Sequence, residues 1–235
     1  FTFGLVMVGA KNDHGWSQAH YDGGLYVEQN VPGAKMIYLE NVYSGSPAYT
    51  GTTTSQLAEQ LVAQGAQLII FNSDDMKDEA TKFAQDHPDV PVIMASGDQV
   101  WQDGHAYIAI PNMVNLMGRM EYGKMMAGCA AALTSQTGKI GYLGPLINGE
   151  TRRLASSAYL GAKYCWAQAG KDPAGLQFKV PWIGFWFYIP GFSSDPTVVA
   201  DEFFNNGYDV VISGIDTTEA MTEAKRLQAA GQAVW

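Results

Sequence analysis

The feature that most constrains this chain is an alternation. Short apolar runs bounded by Gly, Pro, Asn or Asp are separated, almost from end to end, by segments with helical spacing. That order is the signature of βαβ units and a parallel sheet, so the expected fold class is α/β with helices flanking mostly parallel strands. Strands are expected over 3–8, 35–39, 67–71, 92–95, 107–110, 139–143, 178–184, 209–213 and 232–235. The first helix is expected over 16–30, ending before Val31-Pro32-Gly33 because a proline disfavours helix at the residue preceding it. A second opens at Thr52, Thr53 or Thr54 as N-cap, buries Leu57 and Leu61, and ends at Gly65. A third covers 75–86, and a long fourth, 113–133, carries Met113, Leu116, Met117, Met120, Met125 and Met126 at helical spacing.

From Gly138 the alternation restarts as a second unit of similar plan, which divides the chain into an N-terminal lobe, 1–111, and a C-terminal lobe, 112–235. Helices are then expected over 150–169, from Asp195 as N-cap with Pro196 at the first helical position, and from Thr217 or Thr218 with Glu219 in the first turn. The chain stops on the apolar Ala233-Val234-Trp235, read as a strand with nothing after it, and the second lobe is therefore expected to be incomplete.

Composition narrows the partners. A formal charge of -9 and a pI near 4.8, with no basic run longer than Arg152-Arg153, argue against nucleic acid or an anionic membrane surface. No segment has the roughly 20 consecutive apolar residues of a membrane span. His14, His20, His87 and His105 lie far apart without paired spacing, so neither a metal nor another cofactor is expected. Cys129 and Cys165 leave two readings open: buried thiols on helices, or one disulfide between neighbouring helices, which requires an oxidising compartment.

Three strand ends place a carboxylate where a strand turns into a loop: Asp13 in Asn12-Asp13-His14-Gly15-Trp16, Asp98 in Ser96-Gly97-Asp98, and Asp216 in Gly214-Ile215-Asp216-Thr217. Any one alone reads equally well as an N-cap. Three at corresponding ends point to hydrogen-bond acceptors for a ligand, because open α/β sheets bind ligands beyond the carboxyl ends of their strands. Trp16 and, from the cluster Trp182, Phe185, Trp186, Phe187 and Tyr188, Trp186 are the aromatic candidates for stacking on a flat ligand. No GxGxxG, GxxxxGK[ST], GxSxG or HExxH motif occurs, and His14 and Ser17, so close on one loop, do not form an oriented relay.

The order and spacing of several segments resemble one family. They are Asn12-Asp13-His14-Gly15-Trp16-Ser17-Gln18; Gly118-Arg119-Met120-Glu121-Tyr122-Gly123-Lys124-Met125-Met126-Ala127-Gly128; Gly138-Lys139-Ile140-Gly141-Tyr142; Glu150-Thr151-Arg152-Arg153 with Leu160-Gly161-Ala162-Lys163; and Gly207-Tyr208-Asp209-Val210-Val211-Ile212-Ser213. Together the chain resembles the BMP (basic membrane protein) family of ABC-transporter substrate-binding proteins, many of which bind nucleosides. The resemblance implies a type I periplasmic-binding fold whose two lobes close on a ligand. It also implies an extracytoplasmic location, periplasmic or as a cell-surface lipoprotein, and a membrane permease as partner. Carried over by position, it makes Trp16 and Trp186 stacking residues and Asp13, Ser17, Asp98 and Asp216 polar contacts, with Gly214 at the end of its strand. The expected cargo is a nucleoside-like small molecule, a purine nucleoside or base, bound without chemical change. Two departures keep other cargo in view: the loop over 189–194 looks longer than in nucleoside-binding members, and Trp stands where Phe is usual. A sugar or signalling molecule on the same fold is the alternative, with an α/β enzyme using the carboxylates, or a regulator's sensor domain, behind it.

Overall fold

The computed structural model describes residues 1–104 and 107–235. It divides into two compact units, Phe1–Gly118 and Arg119–Trp235. In the first, strands β1 (Thr2–Val6), β2 (Lys35–Leu39), β3 (Ile69–Phe71), β4 (Val92–Ala95) and β5 (Met113–Leu116) form one parallel sheet in the order β2-β1-β3-β4-β5. Helices α1 (Trp16–Asn30), α2 (Thr54–Ala63) and α3 (Lys77–Asp86) make the crossovers. Because right-handed crossovers run outward from β1 to β2 and then back past β1 to β3, α1 lies on one face and α2 on the other. On one face Phe3, Leu5, Met7 and Met36 pack against Tyr21 and Leu25 of α1.

Local signals define the ends of these elements. Thr53 caps α2 in a capping box with Gln56, each side chain receiving the other's backbone N–H. Gly24 lets α1 sit directly on Met36, whose sulfur occupies the space a Cβ would need.

The second unit repeats the beginning of this plan. Strands β6 (Lys139–Leu143), β7 (Gln177–Lys179) and β8 (Val210–Ser213) form a parallel sheet in the order β7-β6-β8, so the first strand again lies between the two that follow it. Helices α4 (Met120–Thr134) and α5 (Gly149–Gln168) cover one face, with Ala131, Ala132, Ala155, Ala158, Ala162 and Trp166 packed on Ile140 and Tyr142. On the other, α6 (Pro196–Asn205) and α7 (Glu219–Ala229) bury Ala200, Phe204, Ala220, Ala224 and Leu227 with Leu143. Asp195 caps α6, accepting from Thr197 N, with Pro196 at the first helical position as expected.

Four sequence expectations need correction. The helix expected over 113–133 begins only at Met120. Met113–Leu116 is instead β5, because pairing with β4 from Val92–Met113 to Ala95–Leu116 outweighs the helical spacing of its apolar residues. Asn112 fixes the entry to that strand by donating to the carbonyls of Ala84, His87 and Val90. Residues 107–110 form no strand; Ile108 N donates to Gln99 O at 2.6 Å in an irregular connection, and His105 lies outside the described residues. The strand expected over 178–184 stops at Lys179, after which a single bridge joins Gly144 to Trp182. Residues 232–235 are no regular strand, although Val211 N donates to Trp235 O and Trp235 N to Asp209 O, both at 2.8 Å.

Cys129 and Cys165 resolve the open cysteine question as a disulfide joining α4 to α5, with Cα atoms 5.1 Å apart. The two helices cross closely because Gly128 stacks on the Ala158 carbonyl and Gly161 on the Met125 carbonyl, where any Cβ would collide with backbone. At the opposite edge of this sheet Asp209, 4% exposed, accepts from Ser135 Oγ, Gln136 N, Thr137 N and Thr137 Oγ1 at 2.6–3.0 Å. Burial opposes its ionisation, but these donors outweigh it and hold the carboxyl below the usual range.

Two tests follow from this packing. Reducing the disulfide, whose cysteines are 36 residues apart, is expected to lower stability by about 3–4 kcal/mol, read by denaturant unfolding with and without reductant. Asp209 gains its stabilisation above its unfolded pKa of about 4 and loses it as pH falls through the lower folded value. Asp209→Asn should therefore cost about 2–3 kcal/mol at neutral pH, and the cost should shrink on acidification, as measured by urea unfolding from pH 7 to pH 3.

Candidate functional site

In both units the central strand has neighbours reached by crossovers in opposite directions, so the loops leaving its carboxyl end and that of its later neighbour diverge. Such a switch point is where open α/β sheets bind ligands. In the first unit the relevant loops follow β1 and β3, and in the second they follow β6 and β8.

After β1 the chain turns at Gly9, whose N–H donates to Ser17 Oγ at 2.9 Å. Asp13 then folds over the start of α1: Oδ1 accepts from Gly15 N at 2.8 Å and Gln18 N at 3.0 Å, and Oδ2 from Ser17 N at 2.9 Å. The carboxylate thus sits at the positive end of the helix, and three of its roughly four acceptor positions are used. Ser17 is fully buried and faces Asn72 rather than solvent. Trp16 is half-buried, with its indole N–H donating to the Asn72 carbonyl and one side against His20 at a ring separation of 4.6 Å. Burial pushes the His20 imidazole below its ordinary range.

Asn72 is the residue that sequence reasoning missed here. It is wholly buried, and its Oδ1 accepts from Val8 N at 2.8 Å, so it ties the ends of β1 and β3 together beneath Trp16. An amide interrupting the run Leu68–Phe71 at full burial was its only trace in the sequence.

Asp98 lies on the loop after β4, apart from the Asp13 turn. Asn115 of β5 holds that loop: its Nδ2 donates to Ser96 O and its Oδ1 accepts from Val100 N. Gln99 beside it is 5% exposed, and its Nε2 has no hydrogen-bond partner among the described residues. Backbone strain gathers on the same edge. Among the described residues the non-glycine positions with positive φ are His14 at 59°, Asn41 at 58° and Ser96 at 93°, in loops that follow β1, β2 and β4. Conformations of this kind persist where surrounding structure imposes them, and they concentrate at ligand sites.

In the second unit three expected residues come together. Asp216 N donates to Trp186 O at 2.8 Å, which ties the β8–α7 turn to the aromatic segment, and Gly214 N donates to Leu143 O at 2.9 Å. Trp186 is half-buried, edge-on to Phe185 at 5.4 Å. Its loop is folded back by Ser193, whose Oγ donates to Phe187 O and accepts from Ile189 N. Gly214 is required by a close approach, since a Cβ would stand 2.6 Å from Tyr142 Cε1 and 2.8 Å from Leu143 O.

Lys124 of α4 also reaches this turn, donating to Ser213 O at 2.7 Å with its ammonium 5.6 Å from the Tyr142 ring centre. Burial lowers its pKa, and the Asp216 charge opposes that shift. Among the described residues no group of three or more His, Cys, Asp and Glu side chains is placed to hold a metal ion. No helix there is long and apolar enough to cross a membrane.

Comparison with known proteins gives the family and the fold. Residues 2–173 match the Bmp family, described as ABC transporter substrate-binding protein, PnrA-like. A Haloferax volcanii protein named as the putative ABC transporter glucose-binding protein TsgA13 is 26% identical over 220 residues, which cover 93% of this chain and 49% of that protein. The chain thus spans about half the length of that relative. The crystal structure of an ABC transporter solute-binding protein from Aeropyrum pernix superposes with a TM-score of 0.79 at 16% identity, covering the whole of this chain and 61% of that one. A transcriptional activator of the comK gene from Bacillus halodurans gives 0.66 at 18% identity over 99% of this chain and 69% of its own. At these identities the two structures show the fold, a type I periplasmic-binding fold.

The close approach at Gly214 gives a direct test. Gly214→Ala should displace the turn and lower stability by roughly 1–3 kcal/mol, whereas Gly149→Ala, with open space around its Cβ position, should not. Thermal melts of both variants beside the wild type read the difference.

Proposed function

The chain belongs to the Bmp family of ABC transporter substrate-binding proteins, and from that premise we propose that it captures a small polar ring compound and hands it to a membrane permease without chemical change. The preferred cargo is a purine nucleoside or base. The observation that carries this reading is the pairing of a half-buried tryptophan with an aspartate at each switch point: Trp16 beside Asp13, whose carboxylate is held by the start of α1, and Trp186, whose carbonyl accepts from Asp216 N beside the end of β8. In the proposal the indoles stack on the ring, Asp13, Asp98 and Asp216 accept its N–H or O–H groups, Gly214 admits close backbone approach, and Ser17 acts from the interior by holding the β1 turn.

Substrate-binding proteins of this family work outside the cytoplasm, and the Cys129–Cys165 disulfide suits an oxidising compartment. A periplasmic or surface-anchored lipoprotein is the corresponding location. A second cargo reading, a ring sugar, is favoured by the printed name of the Haloferax volcanii relative, a putative glucose-binding protein. Stacking on tryptophan and acceptance by carboxylates serve sugars as well as nucleosides.

Calorimetric titration with purine nucleosides, free purine bases and D-glucose decides between them. Binding of a nucleoside or base supports the first reading and binding of glucose alone the second; no heat from any of them would sink both. Trp16→Ala should weaken binding of whichever ligand is found by roughly 1–3 kcal/mol, and an unchanged affinity would reassign Trp16 to packing.

A further inference from the structure

The flank of the second unit holds a groove that the proposed substrate site does not use. It lies between α5 and β7, the outer strand of the β7-β6-β8 sheet. Gln177 N donates to Gly138 O at 2.8 Å, while Pro181 O accepts from Gly144 N and Ile183 N donates to Gly144 O, both at 2.9 Å, so these backbone groups face β6. Alternation along an extended chain turns the backbone groups of Phe178, Val180 and Trp182 the other way, to the side of β7 that has no neighbouring strand among the described residues. The same alternation puts the side chains of Leu176, Phe178, Val180 and Trp182 on one face, towards α5, where all four are only partly buried.

Between this face and α5 lies a cavity of about 590 Å³, a size that suits a ligand site. Tyr159 forms its helical wall, edge-on to Phe178 at a ring separation of 5.6 Å. Arg152 stands at one end and among the described residues has no ion-pair partner, whereas its neighbour Arg153 lies 3.7 Å from Glu121. Because α5 runs back from the end of β6 to the start of β7, its first turn lies beside the carboxyl ends of the strands, and Arg152 belongs to the Trp182 end of the groove. Sheet edges are usually kept from pairing by inward-pointing charges or by a covering element. Here the face towards α5 is apolar for about 20 Å and ends in one uncompensated cation.

We propose that this groove binds the extended carboxyl-terminal segment of a partner protein, which adds to the open edge of β7 as a parallel strand. The outward backbone groups of Phe178 and Val180 pair with the segment, and its alternate apolar side chains fill the cavity against Phe178, Val180 and Tyr159. The Arg152 guanidinium receives its terminal carboxylate. The direction follows from the position of Arg152, since a segment running with β7 brings its carboxyl end there. A small apolar anion would use the cavity and Arg152 but leave the outward backbone groups idle, so the peptide is the occupant that matches every feature of the groove.

The test screens the whole chain against bead-bound hexapeptides with apolar residues at alternate positions, displayed once with free carboxyl ends and once as carboxamides. Saturable binding to the free-acid set, about tenfold tighter than to the amides, is expected. The best binder, labelled at its amino end, is then followed by fluorescence polarisation. Val180→Pro removes an outward N–H that β6 does not use, so it should weaken binding about tenfold while leaving the thermal melt unchanged. Arg152→Gln should lower the affinity for the acid to that for the amide. No binding to either set, equal binding to both, or undiminished binding by a folded Val180→Pro protein would overturn the inference. Binding of decanoate that Arg152→Gln abolishes, with no peptide bound, would overturn it in favour of a small apolar anion. The comparison of acid with amide requires no variant, so a Val180→Pro protein that fails to fold still leaves a decisive result.

Discussion

A central parallel strand whose two neighbours are reached in opposite directions is the constraint on which everything else in this chain depends. Parallel pairing obliges each strand to return by a crossover, and the right-handed sense of crossovers obliges successive helices to change face when the direction of winding reverses. With β1 between β2 and β3, and β6 between β7 and β8, the loops at these carboxyl ends part from one another. The opening is a consequence of topology, and side chains only decide what fills it. In the first unit Asn72 and Ser17 close its floor by taking the N–H groups of Val8 and Gly9. In the second, Gly214 lies so close to Tyr142 and Leu143 that the turn after β8 has no room for a side chain at its first residue.

Around these openings the rest of the structure is held stiffly. The α4–α5 pair is locked by two glycine-to-carbonyl contacts and a disulfide, and Asp209 gathers the α4–β6 connection onto the start of β8. Lys124 projects from that braced helix one turn before Gly128 and holds the Ser213 carbonyl.

Much of the architecture was legible in the sequence because the signals were local and periodic. Alternating apolar runs, the Thr53 capping box, Pro32 after α1 and Asp195-Pro196 before α6 each acted within a few residues of where they appear. What failed was non-local. Met113 to Leu116 satisfies helical and strand spacing alike, and only pairing with β4 selects the strand. With the strand misread, Asn115 could not be recognised as the clamp of the Asp98 loop. The tie from Lys124 to Ser213 was equally out of reach, because the carbonyl it holds is 89 residues away. Asp13 shows the reverse case: the local reading as a helix cap is the one its hydrogen bonds display, its carboxylate accepting from Ser17 N and Gln18 N at the start of α1.

Hydrogen exchange followed by mass spectrometry, with and without a bound ligand, tests the central claim most directly because it reports on every loop at once. Protection is expected in peptides spanning Gly9 to Gln18, Asn72 to Met76, Gly184 to Tyr188 and Ser213 to Glu219, with no change around Ser135 to Gly138 at the opposite edge. Protection absent from all of these loops, or appearing at that opposite edge, would contradict it.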